Sequence, residues 1–348
     1  MSDNPITDDP RIDPRIKAIF GPMGNLGGEA AEPARDRDEL LARANGETAV
    51  ARRAALQAFL DICDTDEVAP SAGLSVTEHE VTSAPDGNTI RIRFIRPEGN
   101  VALPCVYYIH GGGMQVMSCY DGNYRAWGRL IAANGVAVAM VDFRNALTPS
   151  SIPEVAAFPA GLNDCVSGLK WVVENAASLG VDPDHVVVAG ESGGGNLTLA
   201  TGLKLKQDGD LGLIRGLYAL CPYIAGSWPR AEFPSSYENN GILLDLHNDQ
   251  GAMAYGIDAF EARNPLAWPG FASTDDLRGL VPTVISVNEC DPLRDEGIDF
   301  YRRLLEAGVA ARCTQVMGSI HGTEIFPIAC PDVSRAGAAT IAEFAKTA

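Results

Sequence analysis

Residues 186–196 read Val-Val-Val-Ala-Gly-Glu-Ser-Gly-Gly-Gly-Asn. A run of β-branched residues stops there and a helix-like pattern begins, so Ser192 falls on a tight turn between a strand and a helix. A serine on such a turn occupies a sparsely populated backbone region that costs roughly 1–3 kcal/mol, and glycines two positions away let the flanking segments pass closely. Gly190 and Gly194 occupy those two positions. The stretch therefore predicts a serine nucleophile at the end of a strand.

Composition excludes several classes of partner. The 348-residue chain carries 27 basic and 45 acidic residues, a formal charge of -18, which repels nucleic acids and anionic lipid surfaces. The N-terminus lacks the basic start and apolar segment of a signal peptide, and no stretch approaches the ~18 uninterrupted apolar residues of a membrane span. The eight cysteines include no CxxC pair, so neither a disulfide framework nor a zinc site is indicated. We expect a cytoplasmic protein with no nucleic-acid or membrane partner.

The first 75 residues differ from the rest in composition and in hydrophobic pattern. Residues 1–75 are predicted to form an N-terminal arm followed by cap helices. Pro, Gly and Asp are frequent up to about residue 37, which favours a loosely attached arm with one short amphipathic turn near Ile12 to Phe20. A helical pattern follows over 39–63, where Leu56, Phe59 and Leu60 share one face with Cys63.

Residues 76–348 are predicted to form the main domain, in which strands alternate with helices. The β-rich runs are 89–95, 105–109, 136–141, 186–189 and 283–287, and the helical patterns cover 160–179, 196–207 and 295–307. Near-continuous apolar strands alternating with helices predict an α/β fold with a mostly parallel sheet covered on both faces.

Residues 221–271 interrupt this alternation. They show no clear strand pattern and hold eight aromatic residues. Ligand pockets are lined mainly by apolar and aromatic side chains, so the insertion predicts a cap over a site. The alternative is that these rings fill a small core of the cap itself.

Two further candidates follow Ser192 in the order Ser, Asp, His. Asp291 comes after the predicted strand 283–287, and Pro292 favours a turn that leaves Asp291 at the carboxyl end of the strand, where parallel sheets carry their sites. His321 lies in a glycine-flanked loop after the strand-like residues 312–317. Asp295 is expected instead at the N-terminus of a helix. A GxSxG-like string is a weak signal among 36 glycines, but this order and context indicate a Ser-His-Asp triad.

A second glycine cluster, His110-Gly111-Gly112-Gly113-Met114, follows the strand 105–109. Consecutive glycines expose N–H groups that can bind a developing oxyanion, each typically worth ~2.7–4 kcal/mol in the transition state. Gly112, Gly113 and Gly193 are the predicted donors, and His110 is expected to hold the loop rather than act as a base. A phosphate-binding loop is disfavoured, because no GxGxxG is completed and the chain has no Gly-Lys dipeptide.

These motifs, in this order, resemble those of the hormone-sensitive-lipase-like (family IV) carboxylesterases of the α/β-hydrolase fold. They are His110–Gly113, Gly190–Asn196, Asp291–Gly297 and His321-Gly322, and the resemblance covers about residues 78–348. It implies an α/β-hydrolase catalytic domain with a helical cap, Ser192 as nucleophile, Asp291 and His321 as its partners, and Gly112, Gly113 and Gly193 as the oxyanion hole. It further implies a small-molecule ester substrate, no metal or organic cofactor, and a homodimer that could form through an edge strand near 312–317.

The chain departs from the family pattern at two places. Glu191 and Gly193 stand where the family usually has Asp and Ala, and residues 143–147 read Phe-Arg-Asn-Ala-Leu where it has Tyr-Arg-Leu-Ala-Pro. Glu191 is interpreted as a structural hydrogen-bonding residue, with a second acid at the site as the alternative. A lactonase or amidase with the same triad, and a non-catalytic ligand-binding receptor on the same fold, remain alternatives to a carboxylesterase for short-to-medium acyl esters.

Overall fold

The computed structural model describes residues 4–23, 34–248 and 250–348, and within them eight strands form one sheet. The strands are β1 (Leu74–Thr82), β2 (Thr89–Pro97), β3 (Leu103–Ile109), β4 (Ala137–Asp142), β5 (Val181–Glu191), β6 (Gly216–Leu220), β7 (Thr283–Cys290) and β8 (Ala311–Ile320). They lie in the order β1-β2-β4-β3-β5-β6-β7-β8. β1 and β2 are antiparallel to their neighbours, whereas β3 to β8 run parallel to one another.

The sheet is buried on both faces at its centre. Every residue of β4 and β6 is buried, as are the last five residues of β3. Runs of Val, Ile, Ala and Leu without polar alternation are typical of parallel strands covered by helices on both sides. The predicted α/β fold with a mostly parallel sheet is confirmed.

The described residues form thirteen α-helices, which connect and cover the strands. They are α1 (Pro5–Asp8), α2 (Pro14–Phe20), α3 (Arg37–Ala44), α4 (Glu47–Asp61), α5 (Gly122–Ala132), α6 (Ala160–Glu174), α7 (Ala176–Leu179), α8 (Gly193–Asp208), α9 (Ser235–Glu238), α10 (Gln250–Glu261), α11 (Thr274–Leu277), α12 (Arg294–Glu306) and α13 (Pro331–Thr347). Short 3-10 helices occupy Gly21–Met23, Leu211–Leu213, Pro269–Phe271 and Thr323–Ile325.

Two apolar layers enclose the sheet. On one face α5 and α13 bury Trp127 and Ile341 against the strands. On the other face α6, α8 and α12 bury Leu169, Leu199 and Leu304. The helices therefore bury apolar side chains against both faces of the sheet, which is the usual arrangement in layered α/β proteins.

The predicted strands lie within β2, β3, β4, β5 and β7, extended or shifted by a few residues at their ends. The sequence patterns do not predict β1, β6, α5 or α13. The five residues of β6 begin at a glycine and are buried throughout, so no alternating pattern marks them. The helical pattern over 39–63 divides into α3 and α4, because Asn45 and Gly46 end the first helix.

The expectation of a loosely attached arm is wrong for the part of the arm that the structure describes. Ile6, Ile12, Ile16 and Phe20 are each 1–2 % exposed and pack in one cluster with the last residues of β7 and β8. The Asp13 N–H also donates to the carbonyl oxygen of Gly318 at 2.9 Å. Apolar side chains spaced along two short helices therefore attach residues 4–20 to the sheet, although the local composition favours turns. Residues 24–33 lie outside the described residues.

One buried ion pair ties the loop after β4 to α6. Arg144 donates to both carboxylate oxygens of Asp164, at 2.8 and 2.9 Å, and Asp164 is fully buried. The Ser83 hydroxyl and the Arg144 N–H donate to the same carboxylate. A buried carboxylate with this many donors is fully solvated by the protein, as buried charges require.

No helix among the described residues is both long enough and apolar enough to span a bilayer.

The arm's packing predicts a stability effect. The ring of Phe20 packs edge-on against the rings of Phe59 and Phe326, with centroid separations of 6.0 and 5.1 Å. Phe20→Ala should lower the free energy of unfolding by roughly 3–5 kcal/mol, the usual cost of truncating a buried phenylalanine. Urea unfolding of the two proteins measures this difference. Val101→Ala, at a position 71 % exposed, is the control and should change little. An unchanged midpoint for Phe20→Ala would mean that the arm contributes nothing to the core.

Candidate active site

The candidate active site lies where five parallel strands end. Gly111 follows β3, Ser192 follows β5, Cys221 follows β6, Asp291 follows β7 and His321 follows β8. Because parallel strands have their carboxyl ends at one edge of the sheet, these loops converge there. Segments far apart in the sequence are thereby brought to one place.

Ser192 occupies a strained turn. Its backbone angles are φ 56° and ψ -119°, and its N–H donates to the carbonyl oxygen of Leu220 at 2.9 Å. A Cβ atom on Gly194 would lie 2.0 Å from the carbonyl oxygen of Ile109, and one on Gly190 would lie 2.5 Å from that of Gly194. Only glycines fit at these two positions, so the turn brings β5 and α8 close enough to project the serine from the sheet edge.

His321 and Asp291 form a hydrogen bond. Nδ1 of His321 lies 2.8 Å from Oδ2 of Asp291, and Oδ1 accepts from the Leu293 N–H at 2.9 Å. The carbonyl oxygen of Asp291 accepts in turn from the side-chain amide of Asn239. Asp291 is fully buried and His321 is 7 % exposed. The carboxylate thus holds the proton on Nδ1 and leaves Nε2 as the acceptor nitrogen.

The surroundings of His321 favour its charged form. Burial is the largest single influence and opposes the imidazolium, but the carboxylate of Asp291 and the sulfur of Cys221 act together against it and raise the pKa of His321 well above its ordinary value. The thiol of Cys221 also contacts this ring, and burial raises the pKa of Cys221 to about 11. One donor atom each of Cys221, Asp291 and His321 lie within 4.8 Å of one another, the only such group in the described ranges that could hold a metal. The Asp291–His321 hydrogen bond already satisfies two members of this group.

Three backbone N–H groups lie free beside Ser192. Within the described part of the chain, the N–H groups of Gly112, Gly113 and Gly193 donate to no protein acceptor. The two loops that carry them are in contact, because a Cβ atom on Gly193 would lie 2.7 Å from the Gly113 nitrogen. Gly112 and Gly113 have φ angles of 87° and 63°, which glycine adopts without strain. Free N–H donors in this arrangement can bind an oxyanion.

The peptide groups that carry these N–H donors are held by hydrogen bonds to their carbonyl oxygens. The carbonyl oxygen of Gly111, in the same peptide group as the Gly112 N–H, lies 3.0 Å from Nδ1 of His110. The carbonyl oxygen of Gly112 accepts from Gln115 and Val116, and that of Ser192 accepts from Tyr223 and Asn196, all at 3.0–3.1 Å. Each donor is therefore oriented before any substrate binds, which is the condition for strong transition-state stabilisation.

His110 has the loop-holding place that the sequence predicts. It is fully buried and its ring stacks on Phe143 with centroids 4.3 Å apart. Burial lowers the pKa of His110.

A cavity of about 310 Å³ joins these groups. Its walls include Ser192, His321, Gly112 and Gly113. Segment 221–271 contributes apolar side chains to the same cavity: Tyr223, Leu243, Leu244 and Leu246. Other rings of this segment pack on one another, since Trp268 contacts Tyr223, Trp228, Tyr255 and Phe260. The segment therefore contributes both to the cavity and to its own core.

A second cavity, of about 470 Å³, lies between α4 and the loops 116–121 and 148–151. It shares Val116 and Met117 with the first cavity, but Ser192 and His321 do not line it. Size alone therefore does not identify the site.

Comparison with known proteins finds relatives of the same fold. Residues 106–325 match a family model described as alpha/beta hydrolase fold. Carboxylesterase NlhH of Mycobacterium tuberculosis is 31% identical over 239 residues, 67% of this chain and 70% of that protein. The structure of esterase Est22 matches with a TM-score of 0.97 at 67% identity, covering 99% of this chain and 100% of Est22. Brefeldin A esterase, a bacterial homologue of human hormone sensitive lipase, matches with a TM-score of 0.85 at 37% identity, covering 98% and 94% of the two chains.

The chain belongs to the hormone-sensitive-lipase-like carboxylesterases of the α/β-hydrolase fold. It is an esterase. Around its cavity the structure brings together the predicted residues Ser192, His321, Gly112 and Gly113, with Gly193 in contact beside Gly113.

Asp291, and not Asp295, is the carboxylate that bonds His321 in the esterase. Asp295 occupies the first turn of α12, and its carboxylate accepts from the Ser235 N–H at 2.7 Å. The helix-terminal position expected for it is therefore observed.

Three residues with a place at the esterase site were missed in the sequence. Cys221 and Tyr124 carry no local signal, because Tyr124 lies on α5 and Cys221 directly follows β6, two elements that no sequence pattern predicts. Glu296 lies inside the quoted motif Asp291–Gly297 but received no role. Its carboxylate accepts from the N–H groups of Ile224 and Ala225 and from the indole of Trp228, at 2.6–3.0 Å. Burial raises the pKa of Glu296 to about 8, and the residue anchors the start of segment 221–271 beside the cavity.

The glycine turn of the esterase predicts a sharp steric effect. Gly194→Ala places a methyl group against two backbone carbonyl oxygens, those of Ile109 and His110, which cannot rotate away. The variant should lose about 1–3 kcal/mol of stability, as overpacked sites do, together with most of its esterase activity. Thermal unfolding and ester hydrolysis measure the two effects.

Gly212→Ala is the matched control, because nothing lies within 4 Å of its added methyl group. It should keep wild-type activity and stability. Equal behaviour of the two variants would contradict the steric argument.

Proposed function

We propose that this esterase hydrolyses short-to-medium acyl esters of small molecules through a Ser192-His321-Asp291 triad and an acyl-enzyme intermediate. The observation that carries the proposal is the 2.8 Å contact between His321 and Asp291 beside a cavity that also holds Ser192. Three unengaged N–H groups at the same serine supply what a tetrahedral intermediate requires.

The first step forms the acyl-enzyme. Oγ of Ser192 attacks the ester carbonyl carbon while Nε2 of His321 takes the hydroxyl proton, and Asp291 stabilises the resulting imidazolium. The carbonyl oxygen becomes an oxyanion and accepts from the N–H groups of Gly112, Gly113 and Gly193. Collapse of the intermediate breaks the bond to the alcohol oxygen, which takes the proton from His321 and leaves as the alcohol.

The second step releases the acid. A water molecule gives one proton to Nε2 of His321 and attacks the acyl carbon, and the oxyanion again occupies the three donors. Collapse breaks the bond to Oγ of Ser192, which recovers the proton from His321. Every proton in both steps passes through the imidazole, so the sequence of steps uses no metal or organic cofactor.

The cavity supports small substrates. At about 310 Å³ it lies near the lower end of the range for ligand pockets, and Leu243, Leu244 and Leu246 line it with Ile325. We propose that segment 221–271 acts as a cap that sets the size of the acyl group. Est22 has a structure with p-nitrophenol, which makes p-nitrophenyl esters of graded acyl length suitable probes here. A panel that adds lactones and anilides tests the two alternative activities of the same triad.

We also propose that the esterase has no nucleic-acid or membrane partner and that it forms a homodimer. The charge of -18 disfavours nucleic acid, and β8 ends the sheet as an edge strand through which two copies could pair. Light scattering in solution measures whether the esterase is a homodimer.

Removal of the nucleophile tests the proposal directly. Ser192→Ala should lower kcat for p-nitrophenyl acetate by roughly 10⁴-fold or more, because no other hydroxyl replaces the attacking oxygen. The thermal unfolding midpoint should not fall, since the Ser192 side chain makes no capping hydrogen bond at the start of α8. Ser75→Ala, on the exposed edge strand β1, is the control and should keep full activity. Ordinary turnover by Ser192→Ala would overturn the assignment.

The elevated pKa of His321 predicts the pH profile. The histidine must be neutral to take the serine proton, so kcat/KM should be low where the ring is protonated and rise as pH increases through its pKa. Because Asp291 raises that pKa, the rise should be centred above the ordinary histidine value of about 6.5. Glu191→Gln should keep this rise, which separates the imidazole from the neighbouring carboxyl group. A rise centred below pH 6.5 would count against His321 as the base.

A further inference from the structure

We propose that Glu191 and Tyr124 form a positioning pair that holds the oxyanion loop Gly111–Gly113 in its active orientation. The inference rests on the proposed function, since it concerns the same oxyanion hole. It assigns a role to the carboxylate that precedes the nucleophile, where this chain departs from the usual residue of its family.

A chain of hydrogen bonds links the carboxylate to the loop. The Gly111 N–H donates to the hydroxyl oxygen of Tyr124 at 2.9 Å, and that hydroxyl donates to Oε1 of Glu191 at 2.6 Å. Oε2 of Glu191 accepts from the Tyr108 hydroxyl at 3.1 Å. Tyr108 and Tyr124 are fully buried and Glu191 is 3 % exposed, so water does not compete for these bonds.

The direction of this chain is fixed. A tyrosine hydroxyl has one proton, and the Gly111 N–H already occupies its oxygen as an acceptor. The Tyr124 proton must therefore go to an acceptor, which Glu191 provides. The short distance of 2.6 Å is that of a hydrogen bond to a carboxylate.

The loop packs directly on this pair. A Cβ atom on Gly111 would lie 1.9 Å from Oε1 of Glu191 and 3.0 Å from the Tyr124 hydroxyl. Tyr124 fixes the peptide group between His110 and Gly111, and the ring of His110 fixes the next one, which carries the Gly112 N–H. Two consecutive peptide planes are thus held, and the second is an oxyanion donor.

Glu191 acts through Tyr124 rather than on the substrate. It lines the cavity, but each of its carboxylate oxygens already accepts from a tyrosine. Burial raises the pKa of Glu191 to about 7. Glu191 and Tyr124 are therefore positioning residues, whereas the Tyr108 hydroxyl bonds only the other carboxylate oxygen, which is not linked to the loop.

The two tyrosines provide a matched pair of variants. Tyr124→Phe removes the bond to Gly111, whereas Tyr108→Phe removes an equivalent bond to Glu191 that does not reach the loop. Tyr124→Phe should lower kcat by about 10–100-fold with KM within about 3-fold, because a displaced donor loses transition-state rather than ground-state binding. Tyr108→Phe should keep kcat within about 3-fold. Adding Glu191→Gln to Tyr124→Phe should cause little further loss, since both residues act through one bond.

The inhibition constant of a transition-state analogue distinguishes a displaced oxyanion donor from a general loss of packing. An alkylboronic acid forms a tetrahedral adduct with a serine hydroxyl, so its inhibition constant should rise in Tyr124→Phe by the same factor as kcat falls. Thermal unfolding of each variant checks folding. The inference is overturned if Tyr124→Phe keeps wild-type kcat, if Tyr108→Phe loses as much, or if boronate affinity does not follow kcat. Ser192→Ala separates the two proposals, because ordinary turnover by that variant would refute the triad itself.

Discussion

The contact between two glycine loops is the constraint on which the rest of this structure depends. The loop after β3 and the turn after β5 approach so closely that Gly193 and Gly194 leave no room for side chains. That approach places the free N–H groups of Gly112 and Gly113 beside the serine, and it requires Ser192 to adopt a positive φ angle. Local strain of this kind persists only where surrounding packing fixes it, and here the buried parallel strands supply that packing.

Three buried carboxyl groups of the esterase accept hydrogen bonds from several protein donors. Asp164 is held by Arg144, Asp291 by His321 and the Leu293 N–H, and Glu296 by backbone N–H groups and an indole. An unpaired carboxylate at any of these places would cost several kcal/mol, so each one fixes the segments that supply its donors. Glu296 in this way couples α12 to segment 221–271, and Asn239 of that segment binds the carbonyl oxygen of Asp291.

The N-terminal arm contacts segment 221–271, which lines the cavity. Arg11 donates to the side chain of Asn239 at 2.8 Å, and Ile16 and Phe20 pack in one cluster with Leu243, which lines the cavity. Residues near the start of the chain therefore support the wall of the site. Local composition conceals this, because the proline and aspartate residues that begin and cap α1 and α2 are also turn formers.

The amino-acid sequence by itself determined the α/β class and the order of the site motifs. Glycine spacing around Ser192 and apolar runs that end at polar loops are local properties, so they can be recognised in the sequence alone. Only the tertiary structure decided that Tyr124 meets Glu191 across 67 positions, that Cys221 contacts His321, and that the arm is buried. These contacts join segments that are distant in the sequence. A contact between two distant side chains does not change the hydrophobic periodicity of either segment. The physical reason is that register between elements follows from packing of the whole sheet, not from the residues of any one strand or helix.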